Sequence, residues 1–318
     1  MVEPGELLPR ELEPTGKTLL GGTRMKVLQW NVLADGLSGN CEGSGGFTRL
    51  PAEFLEFKAR HAMQRKHIEE SNADIVALQE VDHAEEWLSE MAELGYDGKI
   101  RTDEDSPCLR AALNEPKLPD GVALFWKRSR LELDEYVPGV DVGGDDGYKS
   151  KRLLARLKST STGAFIVLAN VHLDSRKNDE GVAVRTRQSE GLLTDLRQFV
   201  QNKEKPASVV FIAGDLNAKR GERCHDVLLA AWGRGLSDAY ADAGYGDSFT
   251  SFKNRTGDYK AGVVKYAVDH LLHSAAAVPV AILKLPQEAE IGEDGLPCAN
   301  WPSDHVSSPP SNQPSLPL

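Results

Sequence analysis

The chain has 318 residues, 40% of them hydrophobic and 27% charged, which is apolar material for one large domain or two small ones with a sizeable core. Its formal net charge of −11 argues against a large sequence-independent nucleic-acid footprint, because such binding rests on many Lys and Arg contacts to phosphate. A nucleotide substrate remains open to it, since a bound divalent cation and a few local bases can dominate a pocket. No apolar run reaches the length of a transmembrane helix. The four cysteines, Cys41, Cys108, Cys224 and Cys298, show no paired metal spacing and read as free thiols in a reducing compartment.

Residues 1–23 are rich in Glu, Pro, Gly and Leu without periodicity and are expected to form a disordered tail. They carry neither a basic n-region nor an Arg-rich amphipathic pattern, so the expected location is the cytoplasm. The first strand is placed at Met25–Asn31, followed by a polar loop over 34–51 and a helix over 52–71. An apolar run from Ile75 ends in Gln79-Glu80. Helix 84–94 puts Leu88, Met91 and Leu94 on one face, with Gly95 as its stop. Further strands are expected at 122–126, 131–137, 151–158, 164–172, 208–215, 264–272 and 278–285, with a Gly/Asp-rich loop at 139–147. Helices are expected at 184–200 and 223–232. After His305 come four prolines, which argue against a further central strand, so 307–318 is taken as a Pro/Ser-rich tail and 24–306 as one domain.

One device recurs along this chain: an apolar strand ends in a polar residue suited to chemistry. Val27–Asn31 delivers Asn31, Ile75–Glu80 delivers Glu80, and Phe165–His172 delivers His172. Phe211–Asn217 brings Asp215 and Asn217, Tyr266–His270 brings Asp269, and Trp301–His305 closes the series with Asp304 and His305. Strands that come both as hairpin-like pairs and separated by helices suit an α/β fold, two mixed β-sheets packed face to face with helices outside, a four-layer sandwich.

The set QWN (29–31), LQE (78–80), NVHL (170–173), GDLN (214–217), VDH (268–270) and SDH (303–305) resembles the endonuclease/exonuclease/phosphatase superfamily of metal-dependent phosphoesterases. The likeness runs over about residues 24–306 and implies the same four-layer fold. Between the motifs, Gln29–Ala34, Ser106–Leu109, Pro119–Phe125 and Ile291–Leu296 are most similar to the nocturnin group. The carbon-catabolite-repressor type of deadenylase comes next.

That resemblance implies a Mg²⁺ cofactor, with Mn²⁺ as an alternative, held chiefly by Glu80 with help from Asn31 and with Asp304 as a second acid nearby. Asp215 would orient or deprotonate the attacking water, and Asn217 would bond the developing phosphorane oxygens. Asp269 and His305 would form a carboxylate–imidazole pair, and His172 would bond the scissile phosphate. Either Asp215 or His305 is the base. The group is associated with removal of the 2′-phosphate of NADP(H), and its deadenylase relatives with trimming poly(A) RNA. Arg176 and Arg255 match two phosphate-gripping positions, whereas Asp174 and Asp103 stand where the group has lysines. The expected partner is a small nucleotide, with RNA as the alternative substrate and an idle binding module as the alternative role. No membrane and no obligate protein partner are expected.

Overall fold

Two mixed β-sheets lie face to face. The computed structural model describes residues 7–18, 23–41, 45–47, 49–111, 115–139, 151–200, 204–230, 235–246, 248–256, 262–307 and 310–314. The seven-stranded sheet takes, edge to edge, Leu12–Pro14, Ala277–Leu283, Pro310–Pro314, Met25–Asn31, Ile75–Val81, Gly121–Lys127 and Tyr96–Thr102. The six-stranded sheet takes Leu236–Asp238, Asp269–Ser274, Val209–Asp215, Phe165–His172, Lys151–Ser159 and Leu131–Val137. Strand alternation divides each sheet between two layers. Val27, Ile75, Ala77, Val122 and Leu124 meet Leu153, Ala155, Ile166, Phe211 and Leu271 between the sheets. Their neighbours Leu28, Val76, Leu78 and Phe125 pack outward with Ile68, Trp87 and Met91. On the other side Val167, Val210 and Ile212 pack with Leu192, Leu196 and Leu228. Helices Phe57–Ser71 and Ala84–Glu93 thus cover one sheet, and Asp179–Val200 and Arg223–Ala230 cover the other. This is the expected four-layer α/β sandwich.

The parallel pairs aim the chemistry. Met25–Asn31 runs parallel to Ile75–Val81, with Asn31 opposite Gln79. Phe165–His172 runs parallel to Val209–Asp215, with His172 opposite Asp215. The antiparallel strand Asp269–Ser274 starts where they end, Asp269 facing Asp215. Parallel strands present their carboxyl ends on one edge, and an antiparallel neighbour contributes its first residue there. Gly214 fits this crowded corner because it has no side chain: a Cβ there would run into the Val171 carbonyl.

Several expectations are corrected. In helix Ala84–Glu93 the buried face carries Trp87 and Met91, four apart, while Leu88 is 41% exposed. The long helix begins at Asp179, and the stretch 264–272 is two strands, Gly262–Tyr266 and Asp269–Ser274. Within residues 7–18, expected as part of a disordered tail, Leu7 and Leu8 are buried and Leu12–Pro14 pairs antiparallel with Ala281–Leu283. Pro310–Pro314 forms a strand between Ala277–Leu283 and Met25–Asn31. The prolines permit it because they stand at its two ends, leaving Ser311, Asn312 and Gln313 to supply N–H groups, and the facing strand bulges at Pro279/Ala281. Of the loop expected at 139–147, residues 140–147 lie outside the described residues.

Candidate active site

Glu80 owes its direction to an irregularity. The pairing of its strand with Gly121–Lys127 shifts between Gln79 and Val81, and Glu80 itself has φ of 56°. A bulge with a left-handed residue turns a strand side chain away from the regular pleat, a strained conformation typical of functional positions. The Glu80 carboxylate is buried and accepts from Asn31 Nδ2 at 2.9 Å and from the Ala34 N–H at 3.2 Å. Among the described residues no cationic side chain forms an ion pair with it. A buried carboxylate with that environment fits an oxygen ligand for a hard divalent cation.

Asn31 is the bridge between the acids. Its Nδ2 also donates to Asp215 Oδ2 at 3.1 Å, while its Oδ1 accepts from the Leu33 N–H at 3.0 Å. In this arrangement the amide turns N–H groups to both carboxylates and spends its oxygen on the backbone, so it positions Glu80 and Asp215 where a ligand role had been expected.

Asp215 uses its two oxygens differently. Oδ1 accepts from the Asn217 N–H at 2.8 Å, closing the strand in a local turn in which Asn217 has φ of 51°. Oδ2 stands 3.6 Å from His172 Nε2 and 3.7 Å from His305 Nε2. Burial alone would raise this carboxyl. The charges of His305, His172, Lys253 and Lys177 outweigh it and hold the group below the ordinary aspartate range. Asn217 Nδ2 donates to the Leu173 carbonyl, and its Oδ1 accepts from Lys177 Nζ at 3.1 Å.

His305 Nδ1 donates to Asp269 Oδ2 at 2.7 Å. Asp269 is fixed in turn by Thr250 Oγ1 at 2.7 Å and Gln29 Nε2 at 3.0 Å. Gln29 continues to Gln79, and Gln79 to Asn170 across the sheets. Burial pushes the His305 imidazolium down, but Asp269, with Asp215 and Asp304, more than restores it, so the ring titrates above the ordinary histidine range. Among the described residues its buried Nε2 has no hydrogen-bond partner, and neither has His172 Nδ1.

These groups open into a cavity of about 370 Å³ lined by Glu80, His172, Asp215, Asn217 and His305. The same walls carry Lys151, Lys177, Lys253, Arg255 and Tyr266. Arg255, expected to grip phosphate, is among these wall residues. Arg176 is absent from the lining: its guanidinium is held by Asp174 at 3.0 Å and Glu180 at 2.8 Å. Asp174 does line the cavity. Asp304, expected beside the cation, is instead clamped by Lys253 at 2.7 Å and Arg255 at 3.3 Å. Despite burial, those cations and His305 hold it well below the ordinary carboxylate range.

Lys253 and Lys177 were missed in the sequence. Lys253 had a legible signal, since it precedes Arg255 by two residues in strand Ser251–Arg255 and so shares its face. Lys151 is tied to Asp120, which also accepts from Ser106. No helix among the described residues is long and apolar enough to cross a membrane. Cys108, Cys224 and Cys298 are free thiols.

The chain is 31% identical over 290 residues to nocturnin of Homo sapiens, an alignment covering 89% of this chain and 64% of that protein. It is 25% identical over 297 residues to the CCR4-Not complex 3′-5′-exoribonuclease subunit Ccr4 of Candida albicans, covering 80% and 37%. The chain spans about half to two thirds of the length of the fly and human nocturnins. Among solved structures, the human nocturnin catalytic domain with bound sulfate superposes with a TM-score of 0.73 at 23% identity, covering 95% of this chain and 97% of that one. ANGEL2, a 2′,3′-cyclic phosphatase, superposes with a TM-score of 0.76 at 18% identity, covering 98% and 100%. The family model described as Endonuclease/Exonuclease/phosphatase matches residues 28–305, and the chain belongs to that family.

Proposed function

We propose that the chain is a divalent-metal-dependent phosphoric ester hydrolase acting on a small nucleotide, and that the ester it cleaves is the 2′-phosphate of NADP(H). The observation that carries the hydrolase reading is the convergence of Glu80, His172, Asp215 and His305 on one cavity, with Asp269 behind His305. A Mg²⁺ ion held by Glu80 would supply charge neutralisation for the phosphoryl oxygens.

The protein's own groups divide the remaining work. Asp215, kept anionic, orients the attacking water and takes its proton. His305, kept protonated more readily than an ordinary histidine, donates from Nε2 to the phosphoryl group, and Asp269 fixes its ring and tautomer. His172 faces the same carboxylate oxygen and holds a second phosphoryl oxygen. Phosphoryl transfer needs little beyond such positioning and charge stabilisation.

The nucleotide reading rests on the walls. Lys151, Lys177, Lys253 and Arg255 offer cations around a cavity of about 370 Å³, with Leu37, Val264 and Tyr266 as apolar surface. That volume accommodates part of a dinucleotide, and the net charge of −11 disfavours a long polyanion lying across the rest of the surface. The test compares kcat/KM for phosphate release from NADPH, trimming of an adenine-tailed RNA and opening of adenosine 2′,3′-cyclic phosphate at one salt concentration. NADPH is expected to lead by about tenfold or more, the scale of one charge-assisted contact. A lead for either other substrate replaces the NADP(H) reading and leaves the hydrolase reading standing.

A further inference from the structure

His305 does not stand in a regular strand. Its backbone is joined to Ser251 by a single isolated bridge, yet its ring must hold Nε2 toward Asp215. Two indoles supply the missing rigidity: Trp30 Nε1 and Trp301 Nε1 both donate to the His305 carbonyl, at 2.9 and 2.8 Å. A carbonyl that accepts two N–H groups has its peptide plane fixed, and with it the direction in which the His305 side chain leaves the backbone.

The indoles are themselves held from an unexpected side. Arg10, half-buried in the N-terminal segment, lies with its guanidinium 5.3 Å from the Trp301 ring centroid. Its Nη2 donates to the Ser307 carbonyl at 2.9 Å and its Nη1 to Ser307 Oγ at 3.3 Å. Its Nε donates to the Lys284 carbonyl at 3.0 Å, tying the same side chain to the residue that follows strand Ala277–Leu283. Ser307 Oγ also meets His67 Nε2 at 2.7 Å, and the His67 ring stands edge-on to both Trp30 and Trp301. Leu8 adds a further tie to the same region, its N–H donating to the Asn300 carbonyl at 3.1 Å.

We propose that Arg10 is a positioning residue for the reaction, clamping the 301–307 segment so that His305 keeps its aim at Asp215. The inference rests on the reading of His305 as a catalytic residue. Arg10 is suited to this because one planar fork reaches carbonyls on two separate segments while its face covers an indole. It touches neither the cavity lining nor Asp215. Its loss therefore acts on the geometry of the chemical step and leaves substrate binding alone.

The experiment measures kcat, KM and melting temperature for wild type, Arg10→Met, Arg10→Lys, Ser307→Ala and His305→Ala, on whichever of NADPH and the adenine-tailed RNA wild type turns over faster. Arg10→Met is expected to lower kcat about tenfold with KM within about twofold, the signature of a small misplacement of a reacting group. Arg10→Lys, which keeps a charged donor, should recover part of the loss. If Arg10→Met does not fold, Ser307→Ala is read in its place, with a smaller fall in kcat and the same constant KM. Unchanged kcat in the folded variants, or KM rising in step as kcat falls, overturns the inference. A His305→Ala variant as active as wild type overturns the catalytic reading and the inference with it, whereas an inactive His305→Ala beside a fully active Arg10→Met overturns the inference alone.

Discussion

His305 hands one ring nitrogen to Asp269 and turns the other toward Asp215: Nδ1 lies 2.7 Å from Asp269 Oδ2 and Nε2 lies 3.7 Å from Asp215 Oδ2. The ring is thus set between a carboxylate that stabilises its charge and one that shares its cavity. Both outer acids are buried, so their effect on the imidazole is weakly screened.

Replacing Asp269 by Asn removes the charge that raises His305 while keeping a side chain of the same shape. The turnover number is expected to fall by roughly 100-fold or more, the range for a disturbed acid–base group. The sign of the pH effect is fixed: without Asp269 the imidazolium is less stable, so the alkaline limb of the kcat profile moves to lower pH. A limb that stays in place in Asp269→Asn removes His305 as the group behind it.

Glu80→Gln should separate metal binding from folding. The variant is expected to lose at least the roughly 10–100-fold in Mn²⁺ affinity that even outer-shell partners of a metal contribute, measured by titration calorimetry. In metal-free buffer its melting temperature should hold or rise, because a buried carboxylate with no cationic partner is costly. Unaltered Mn²⁺ affinity would place the cation elsewhere.

Most of this site was legible because strand ends carry it. Asn31, Glu80, His172, Asp215 and Asp269 all meet on one edge, as parallel strands with an antiparallel neighbour require. What could not be read was the pairing among charges. Arg176 looks like a phosphate ligand in the sequence, but Asp174 and Glu180, two and four residues away, take its guanidinium. Asp304 looks like a metal ligand until strand Ser251–Arg255 folds over it. The C-terminal strand was hidden for another reason: proline counts argue against strands, but only its interior positions need N–H donors, and Pro310 and Pro314 are terminal.

Place at the cavity reorders the expected contributions to binding, since Lys253 lines it and Arg176 does not. Lys253→Met should raise KM for NADPH by about tenfold or more, the value of a charge-assisted hydrogen bond, whereas Arg176→Ala should leave KM within about twofold. Steady-state kinetics decide between them. A larger effect at Arg176 than at Lys253 would return Arg176 to the cavity.

Asp304→Asn is expected to destabilise the fold by about 3 kcal/mol at neutral pH, the lower end for breaking a buried ion pair, since Lys253 and Arg255 lose their shared acceptor. The Asp304 carboxyl titrates below its ordinary value of 3.8. Its contribution is thus complete above that pH and fades as the pH falls further. Denaturant unfolding of both proteins should show a gap at pH 7 that narrows below pH 4, and a constant gap contradicts the assignment.

Metal-dependent phosphoester hydrolysis through Asp215 underlies every role proposed for this site. Its most direct measurement is inorganic phosphate release from NADPH by wild type and Asp215→Asn, first in EDTA and then with excess Mg²⁺. Wild type should be inactive in EDTA and active once Mg²⁺ is restored, and with Mg²⁺ present Asp215→Asn should be slower by roughly 100-fold or more. Phosphate release in EDTA at the Mg²⁺ rate, or by Asp215→Asn at the wild-type rate, contradicts the account.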